Sequence, residues 1–394
     1  MKTYKFRLYP SKEIESKMHR ALDLCRFTYN MLLDELGSWD TISRYELQTR
    51  LVDLQICYPE LREVYSKTLQ YENYRLFSNL KALGESKKNG RKVGMLRFKG
   101  KGFFKTFAYN QSGFKLTITG KRCQTLKLSK IGDIRIRCHR NIDGDIKQVV
   151  VKKEPSGKWF AFLVTDVKTD VPQKEIKQVV GIDTGLIDVL YDSDNHITKN
   201  PKYINKYAEQ LAVSQRRMSH KKKGSNNRNK FRIKLARRYE KLANTRTDFI
   251  HKVSRYYADN YDVVGMEDID YSKMARGQFG KSFLDACCGA IRQQITFKVE
   301  STGGLFVPVN HRGTTIRCNQ CQTEVRKEIW QRVHNCPKCC ISIPRDYNSA
   351  LEIKRLALIE IGLERPESTL EEMDALHCKV QLPSLSQDAT TLGS

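Results

Sequence analysis

The stretch Lys177-Gln178-Val179-Val180-Gly181-Ile182-Asp183-Thr184-Gly185-Leu186 decides how the chain is expected to fold. Its apolar run predicts a buried strand, and Thr184-Gly185 predicts a tight turn directly after it. Further strands are predicted over 187–191, 262–266 and 305–309, and they are separated by helical patterns over about 203–260 and 281–301. A last helix is predicted from Asp346 to about residue 361. Strands that alternate with helices predict an α/β fold for this half of the chain.

The first 170 residues follow a different pattern. Alternation over 3–9 predicts a strand that ends at Pro10, and Ser11 is a good N-cap for a helix that runs to about residue 37. Helices over about 42–55 and 61–83 follow. A β-rich stretch over about 95–169 then contains a predicted hairpin. We therefore expect a helical part inserted into a β-rich part.

Three acids stand at the ends of predicted elements of the α/β half. Asp183 follows a strand, Glu267 ends another strand, and Asp346 begins a helix. If the three carboxylates meet, they can hold two Mg²⁺ ions about 4 Å apart for in-line attack on a phosphodiester. Each acid also has an ordinary explanation, as a turn former, a surface acid or a first-turn helix acid. Sequence spacing alone leaves both interpretations open.

Four cysteines have the spacing of a metal site: Cys318, Cys321, Cys336 and Cys339. Two Cys-x-x-Cys turns are typical of a structural Zn²⁺ site with tetrahedral geometry. The 14 residues between the pairs are slightly fewer than the usual interval of about 15–20. A redox dithiol, or His334 or Cys340 as a substitute ligand, remains an alternative.

The chain has 394 residues and a formal net charge of +26, with 40% apolar residues. Residues 364–394 hold six acids and two bases, so the remaining 363 residues carry +30. No segment approaches the roughly 18 apolar residues of a membrane span, and the first ten residues lack the apolar core of a secretion signal. These features argue against membrane and secreted proteins and favour a nucleic-acid partner.

Two segments concentrate this charge. Residues 87–105 hold eight Lys/Arg, including Lys99 and Lys101, without an acid and with phenylalanines interleaved. Residues 216–241 hold twelve Lys/Arg and one acid. Both patterns suit phosphate contact better than an ordinary solvated surface, which is the alternative. The predicted nucleic-acid contacts in the second segment are Arg216, Arg217, Lys221, Lys222, Lys223, Arg228 and Lys230.

Three motifs resemble the RuvC motifs of the TnpB (OrfB) family of insertion-sequence proteins, which is related to type V CRISPR effectors. They are Gly181-Ile182-Asp183-Thr184-Gly185-Leu186, Val264-Gly265-Met266-Glu267-Asp268-Ile269 and Arg345-Asp346-Tyr347-Asn348-Ser349-Ala350. The opening strand, the basic segment between the first two acids, and the cysteines between the second and third acids have the same order as in that family. The resemblance extends over about residues 1–362.

The resemblance implies an RNA-guided DNA endonuclease that cuts beside a short adjacent motif at a single RuvC site. Asp183, Glu267 and Asp346 are then the catalytic acids and Mg²⁺ ligands, and the four cysteines bind Zn²⁺. The implied partners are a guide RNA from the transposon end and double-stranded target DNA, with one chain per RNA favoured. A prokaryotic, cytoplasmic and nucleoid-associated location is also implied.

The implied fold is an RNase H-like (RuvC) nuclease domain with an inserted zinc ribbon, plus a β-barrel-like (WED) part and a helical (REC) part. The expected boundaries are 1–10 with 95–170 for the wedge, 11–94 for the helical part, 171–310 with 341–362 for the nuclease, 311–340 for the ribbon, and 363–394 for a disordered acidic tail. The region that reads the adjacent motif in this family resembles the segments that contain Gln70, Asn73, Tyr109, Asn110 and Gln111. Amide side chains suit adenine, although these residues are equally well explained as exposed polar groups.

One departure concerns the ribbon. Gln322 and Cys340 stand where a glycine is usual, and we expect both to adopt a backbone conformation that favours glycine. All three acids are present, which argues against an inactivated relative. The alternatives are an RNA-guided DNA-binding regulator of transposition that does not cut, and a transposase that joins strands with a similar carboxylate site.

Overall fold

The computed structural model describes residues 1–37, 43–118, 120, 124–167, 171–328 and 330–363. Two compact units share the chain. The first comprises Met1–Asp170 with Val213–Glu240, and the second comprises Val171–Ala212 with Lys241–Ser394. The predicted disordered tail lies outside the described residues, apart from Leu363.

The first unit contains a seven-stranded sheet whose neighbouring strands are all antiparallel. Its strand order is β2-β6-β7-β1-β5-β4-β3. The strands are β1 Lys2–Tyr9, β2 Thr106–Asn110, β3 Phe114–Ile118, β4 Gln124–Leu128, β5 Gly132–Arg137, β6 Asp145–Lys153 and β7 Trp159–Asp166. In β1 the predicted alternation holds, because Tyr4, Phe6 and Leu8 are buried. The predicted hairpin is also confirmed, as β6 paired with β7.

Helices of the first unit pack beside this sheet. They are α1 Lys12–Gly37, α2 Arg44–Cys57 and α3 Ser66–Lys88, with a short 3₁₀ helix at Pro59–Glu63. As expected of an N-cap, the Ser11 hydroxyl accepts a hydrogen bond from the Ile14 amide at 3.3 Å. Leucines from α2 and α3 join β1 in one core, so the helices and the sheet share their buried face.

The second unit is built on a five-stranded sheet with the order β10-β9-β8-β11-β12. Its strands are β8 Val179–Thr184, β9 Asp188–Asp192, β10 Ile197–Lys199, β11 Val263–Glu267 and β12 Leu305–Val309. Strands β8, β9 and β10 form antiparallel pairs, whereas β11 is parallel to both β8 and β12. Asp183 is the second-last residue of β8, where its backbone pairs with Tyr191, so it stands where the strand enters the turn, as predicted, and it is not itself a turn former.

The remaining helices are α4 Tyr203–Ser219, α5 Asn226–Asn260, α6 Tyr271–Met274, α7 Gly280–Ala286, α8 Cys288–Ser301 and α9 Arg345–Glu360. A two-stranded antiparallel sheet pairs β13 Val333–Asn335 with β14 Ser342–Pro344. The predicted single helix over 281–301 is wrong, since Cys287 has a φ of 61° and separates α7 from α8. Helices α8 and α9 lie against opposite faces of the five-stranded sheet. Val264 and Met266 contact α8 residues, whereas Val263 packs with Ile353 and Ala357 of α9.

Candidate active site

Two of the predicted acids are neighbours across a pair of parallel strands. The pairing of β8 with β11 sets Gly181 beside Gly265 and Ile182 beside Met266. The next residue along each strand is an acid, Asp183 or Glu267. Because side chains alternate along a strand, both acids share the face that carries the two glycines. That face is the one covered by α9.

The third acid reaches this face because α9 packs closely on the two glycines. A β-carbon at Gly181 would lie 2.2 Å from the Ala350 carbonyl oxygen, and one at Gly265 would lie 2.7 Å from the β-carbon of Ala357. Asp346 lies in the first turn of α9, about one turn before Ala350. Tyr347, which follows Asp346, packs on Tyr191 with ring centroids 5.8 Å apart, and Tyr191 pairs with Asp183, so α9 begins beside the end of β8 that carries Asp183.

The charges at this site are unbalanced. The pKa of the Asp183 carboxyl is raised well above its usual range by burial, and the negative charges of Glu267 and Asp346 raise it further. Burial also raises the pKa of Glu267, although the hydrogen bond from Thr314 and the proximity of His311 oppose this shift. The charges of Glu267 and Asp346 thus both act on the Asp183 carboxyl. Such a cluster favours a cation.

Side chains around the acids hold their carboxylates in place. The buried Thr314 hydroxyl donates to Glu267 Oε1 at 2.5 Å. Arg345 Nε donates to Asp346 Oδ1 at 3.1 Å, and Arg332 lies 3.9 Å from the other oxygen of Asp346. We did not identify Thr314 from the sequence, because no local motif links it to an acid 47 positions earlier.

The four predicted cysteines converge on one point. Their sulfur atoms all lie within 4.8 Å of one another, and they form the one such group of His, Cys, Asp or Glu ligands among the described residues. Cys318 and Cys339 sulfurs are 3.6 Å apart, and those of Cys321 and Cys336 are 3.4 Å apart. Tetrahedral thiolates with Zn–S bonds of about 2.3 Å have sulfurs about 3.8 Å apart. The cluster therefore fits a metal such as zinc.

Local hydrogen bonds favour the thiolate at Cys321, whereas burial raises the pKa of Cys318 and Cys339. The Thr323 hydroxyl lies 3.3 Å from the Cys321 sulfur, and hydrogen bonds from its side chain and backbone lower the pKa of Cys321 to about 6. Each Cys-x-x-Cys pair forms a turn, here called a knuckle, and the residue after its second cysteine is Gln322 or Cys340. These two residues, which stand where glycine is usual, have φ values of 58° and 57°. The predicted glycine-like backbone is confirmed at both positions.

Most of the predicted phosphate contacts are on the surface of the first unit. Lys101 lies on an exposed loop, and Lys99 is half-buried, with its backbone amide donating to Asn30 Oδ1 at 2.8 Å. Around the turn between α4 and α5, the exposed side chains are Arg216, Arg217, Lys221, Lys222, Lys223 and Lys230. Arg228 instead donates to the carbonyls of Met218, Ser219 and Lys221 and stabilises that turn.

Three of the five predicted base-reading residues line one polar cavity of about 590 Å³ in the first unit. These are Gln70 on α3 with Asn110 and Gln111 at the end of β2. Sequence reasoning missed the other lining residues, which come from α2, α3 and β6 and share no motif: Arg44, Gln48, Lys67, Tyr71, Tyr74 and Gln148.

The other two base-reading candidates are corrected by the structure. Asn73 is fully buried, and its amide donates to the Arg44 carbonyl at 2.9 Å. Tyr109 is 1% exposed, and its hydroxyl donates to the Ser129 carbonyl at 2.7 Å. A base contact requires exposed side chains, but packing of α2 on α3 and of Tyr65 on Tyr109 covers these two residues.

None of the helices in the described ranges is both long and apolar enough to cross a membrane.

Family models match three parts of the chain. Residues 162–278 match the OrfB_IS605 model, described as probable transposase, and residues 289–353 match the Cas12f1-like TNB domain. Residues 1–39 match the helix-turn-helix model of OrfB, although the described residues there form β1 followed by α1.

Whole-chain comparisons agree with these domains. The chain is 27% identical to InsQ of Escherichia coli (strain K12), which is named as an RNA-guided DNA endonuclease, over 90% of this chain and 91% of the relative. It is 25% identical to a protein of Streptomyces pristinaespiralis with the same functional name, over 89% and 88% of the two chains. Its fold resembles Cas12f1 in a complex with sgRNA and target DNA, with a TM-score of 0.55 and 15% identity, over 90% of this chain and 98% of the other. The chain therefore matches the OrfB (TnpB) family of transposon-associated proteins in separate parts and resembles its relatives over nearly its whole length.

Proposed function

We propose that this protein is an RNA-guided DNA endonuclease that hydrolyses phosphodiesters at Asp183, Glu267 and Asp346. The observation that carries the proposal is the register of β8 and β11, which supports a site for Asp183 and Glu267 on the sheet face covered by α9, the helix that contains Asp346. The names of the relatives that align with nearly the whole chain support an RNA guide and a DNA target. The five-stranded sheet is then the RNase H-like (RuvC) core, and the cysteine ribbon is inserted before its last helix.

The three carboxylates would hold Mg²⁺, and two ions are proposed because three acids supply enough ligands for a pair. When bound, Mg²⁺ supplies a nucleophilic water and neutralises the phosphate charge. Asp183 is the acid on which the charges of both other acids act, so we propose it as the central ligand of the group. The hydrogen bond from Thr314 orients Glu267, and the bond from Arg345 orients Asp346. The four cysteines would hold one structural Zn²⁺.

Nucleic acid would be held by the first unit. We assign its seven-stranded sheet to the wedge part and α1 to α3 to the recognition part. The exposed lysines and arginines between α4 and α5, with Lys99 and Lys101, would contact phosphates of the guide RNA or the DNA. The polar cavity with Gln70, Asn110 and Gln111 would read bases beside the target, because amide side chains pair with adenine edges.

Cleavage by the Asp183→Asn variant tests this function. RNA that co-purifies with the parent protein is sequenced, and its 3′ segment defines a DNA target. The parent is expected to cut that DNA with Mg²⁺, and the variant is expected to retain RNA while cutting at least about 1,000-fold more slowly. Asp268→Asn is the matched control, because Asp268 follows Glu267 directly yet is exposed and pairs with Arg292 at 2.7 Å.

The same experiment separates the nuclease from a regulator that binds DNA without cutting. If the parent binds the guided target but leaves it intact with Mg²⁺, the regulator is correct. If Asp183→Asn cuts as fast as the parent, the three-acid site is wrong. Heterogeneous RNA that salt removes would mean general binding of polyanions and no guide.

A further inference from the structure

One buried side chain ties the cysteine ribbon (residues 311–340) to the helix that carries the third acid. Asn348 is fully buried and lies two residues after Asp346 in α9. Its Nδ2 donates to the Arg317 carbonyl at 2.7 Å, and its Oδ1 accepts from the Asn319 amide at 3.1 Å. These two peptide groups are on either side of Cys318. The side-chain amide of Asn348 therefore forms hydrogen bonds to the peptide groups on both sides of Cys318, one of the four clustered cysteines.

A second contact joins the first cysteine knuckle to α9. Gln322, in its glycine-like conformation, directs Nε2 to Glu352 Oε2 at 3.0 Å. Glu352 is fully buried and is also held by Arg355 at 2.8 and 2.6 Å. The departure from glycine at this knuckle thus has a structural consequence. A glutamine at this φ is less favourable than a glycine, but its side chain donates a hydrogen bond to Glu352 of α9.

The ribbon contacts the strand acid as well. Thr314, which lies four residues before Cys318, donates to Glu267. The ribbon therefore contacts Glu267 through Thr314, and it contacts α9 through the hydrogen bonds of Gln322 and Asn348. Neither contact to α9 involves the reacting carboxylates, so both act on Asp346 only through the position of its helix.

We propose that Gln322 and Asn348 are positioning residues, through which the metal-loaded ribbon sets the position of Asp346 and hence the affinity of the acid cluster for its divalent cation. The inference rests on the proposed function, because it requires that Asp183, Glu267 and Asp346 bind that cation. The two metal sites are then coupled, and the coupling is reciprocal. A folded ribbon strengthens cation binding, and a cation at the acids strengthens zinc binding by the same factor.

Gln322→Gly tests the coupling without destroying the ribbon. Glycine accepts the φ of 58° more readily than glutamine, so zinc content measured by elemental analysis should stay at one per chain. Loss of the bond to Glu352 should weaken Mn²⁺ binding to the full chain, measured by calorimetry in the absence of nucleic acid, by about 5- to 20-fold. Cys340→Gly is the matched control, because it relieves the same conformation at the other knuckle, where the side chain is exposed. It should leave Mn²⁺ affinity unchanged.

Asn348→Asp provides a second variant of nearly the same shape. It keeps the acceptor for the Asn319 amide and loses the donor to the Arg317 carbonyl. It should weaken Mn²⁺ binding in the same way and lower the affinity for zinc, measured at equilibrium by competition with a chromogenic chelator. Added Mn²⁺ should raise that zinc affinity in the parent and not in Asp183→Asn.

The outcomes separate the two proposals. If the parent binds Mn²⁺ no better than Asp183→Asn, the acids are not a cation site, and both the function and the coupling are overturned. If the parent binds Mn²⁺ through Asp183 but Gln322→Gly and Asn348→Asp bind it equally well with zinc in place, only the coupling is overturned.

Discussion

Gly181 and Gly265 pair in register across β8 and β11, and α9 lies directly on both. Neither glycine has a left-handed backbone, so their role is the close approach of the helix and not an unusual turn. Asp183 and Glu267 follow two positions later on the same face. The distance between the sheet and α9 therefore also sets the distance between the strand acids and Asp346.

Gly181→Ala is expected to disrupt this packing. Its methyl group would meet the backbone of α9 at 2.2 to 2.3 Å, which the helix can relieve only by moving away. We expect a loss of at least about 2 kcal/mol in the free energy of unfolding and loss of DNA cleavage. Urea denaturation measures the first and a cleavage assay the second. Gly84→Ala in α3 is the control, since no atom lies within 4 Å of the added methyl group, and it should be neutral or stabilising.

Asp183→Asn should stabilise the fold when divalent cations at the acids are absent. The raised pKa of Asp183 means that the folded chain keeps a proton that the unfolded chain has lost. The free energy of unfolding of the parent therefore falls as pH rises from about 4 through the raised pKa. The variant does not show this fall, because asparagine does not titrate. We expect an advantage of at least about 1 kcal/mol at pH 8. Equal slopes of stability against pH for both proteins would contradict it.

Added Mn²⁺ should make the parent more stable than the Asp183→Asn variant, which is the reverse of the order expected without divalent cations. The parent gains stability from a cation that binds the folded state alone, whereas the variant lacks the central ligand. Thermal unfolding of both proteins with and without Mn²⁺ measures the gain.

Cys336→Ser should remove the bound zinc. Its sulfur lies 3.4 Å from that of Cys321 and is buried, so a hydroxyl there leaves an incomplete ligand set. We expect less than one tenth of a zinc per chain by elemental analysis and a lower melting temperature. Cys340→Ser is the matched control, because Cys340 is exposed and lies outside the four-sulfur group. Retention of zinc by Cys336→Ser would argue for a different ligand set.

Gln70→Ala and Asn110→Ala should relax recognition of the sequence beside the target. Both side chains line the polar cavity, and a lost bidentate amide contact costs about 1–3 kcal/mol of discrimination. A cleavage screen over a randomised adjacent sequence measures the change. Gln293→Ala, at an exposed helical position in the second unit, should leave the preference intact. Unchanged preference in both cavity variants would place the reading site elsewhere.

Replacing Lys221, Lys222 and Lys223 by alanine should weaken binding of RNA in a salt-dependent way. All three side chains are exposed, so each is available to a phosphate. The slope of log affinity against log salt should fall by about 2 to 3, as expected for three lost phosphate contacts. The control is Lys17→Ala with Lys252→Ala, because each of these lysines already pairs with an acid at 2.8 Å. An unchanged slope would mean that these lysines remain in solvent.

Much of the site could be predicted because it depends on local patterns. An apolar run that ends in an acid marks a strand and its carboxylate, and two Cys-x-x-Cys turns bring sulfurs together through short-range geometry. The backbone conformations at Gln322 and Cys340 were predictable from the family resemblance, because both residues stand where glycine is usual.

Contacts between distant segments were decided by the tertiary structure alone. Nothing near Asn73 or Tyr109 in the chain signals that α2 and Tyr65 will cover them. Likewise, Thr314 meets Glu267 and Gln322 meets Glu352 only after the ribbon has packed on the sheet and α9. By itself the sequence determined which chemical groups the protein has and the elements that carry them. Packing determined which groups meet, because side-chain burial and pairing depend on surfaces that come together only in the folded chain.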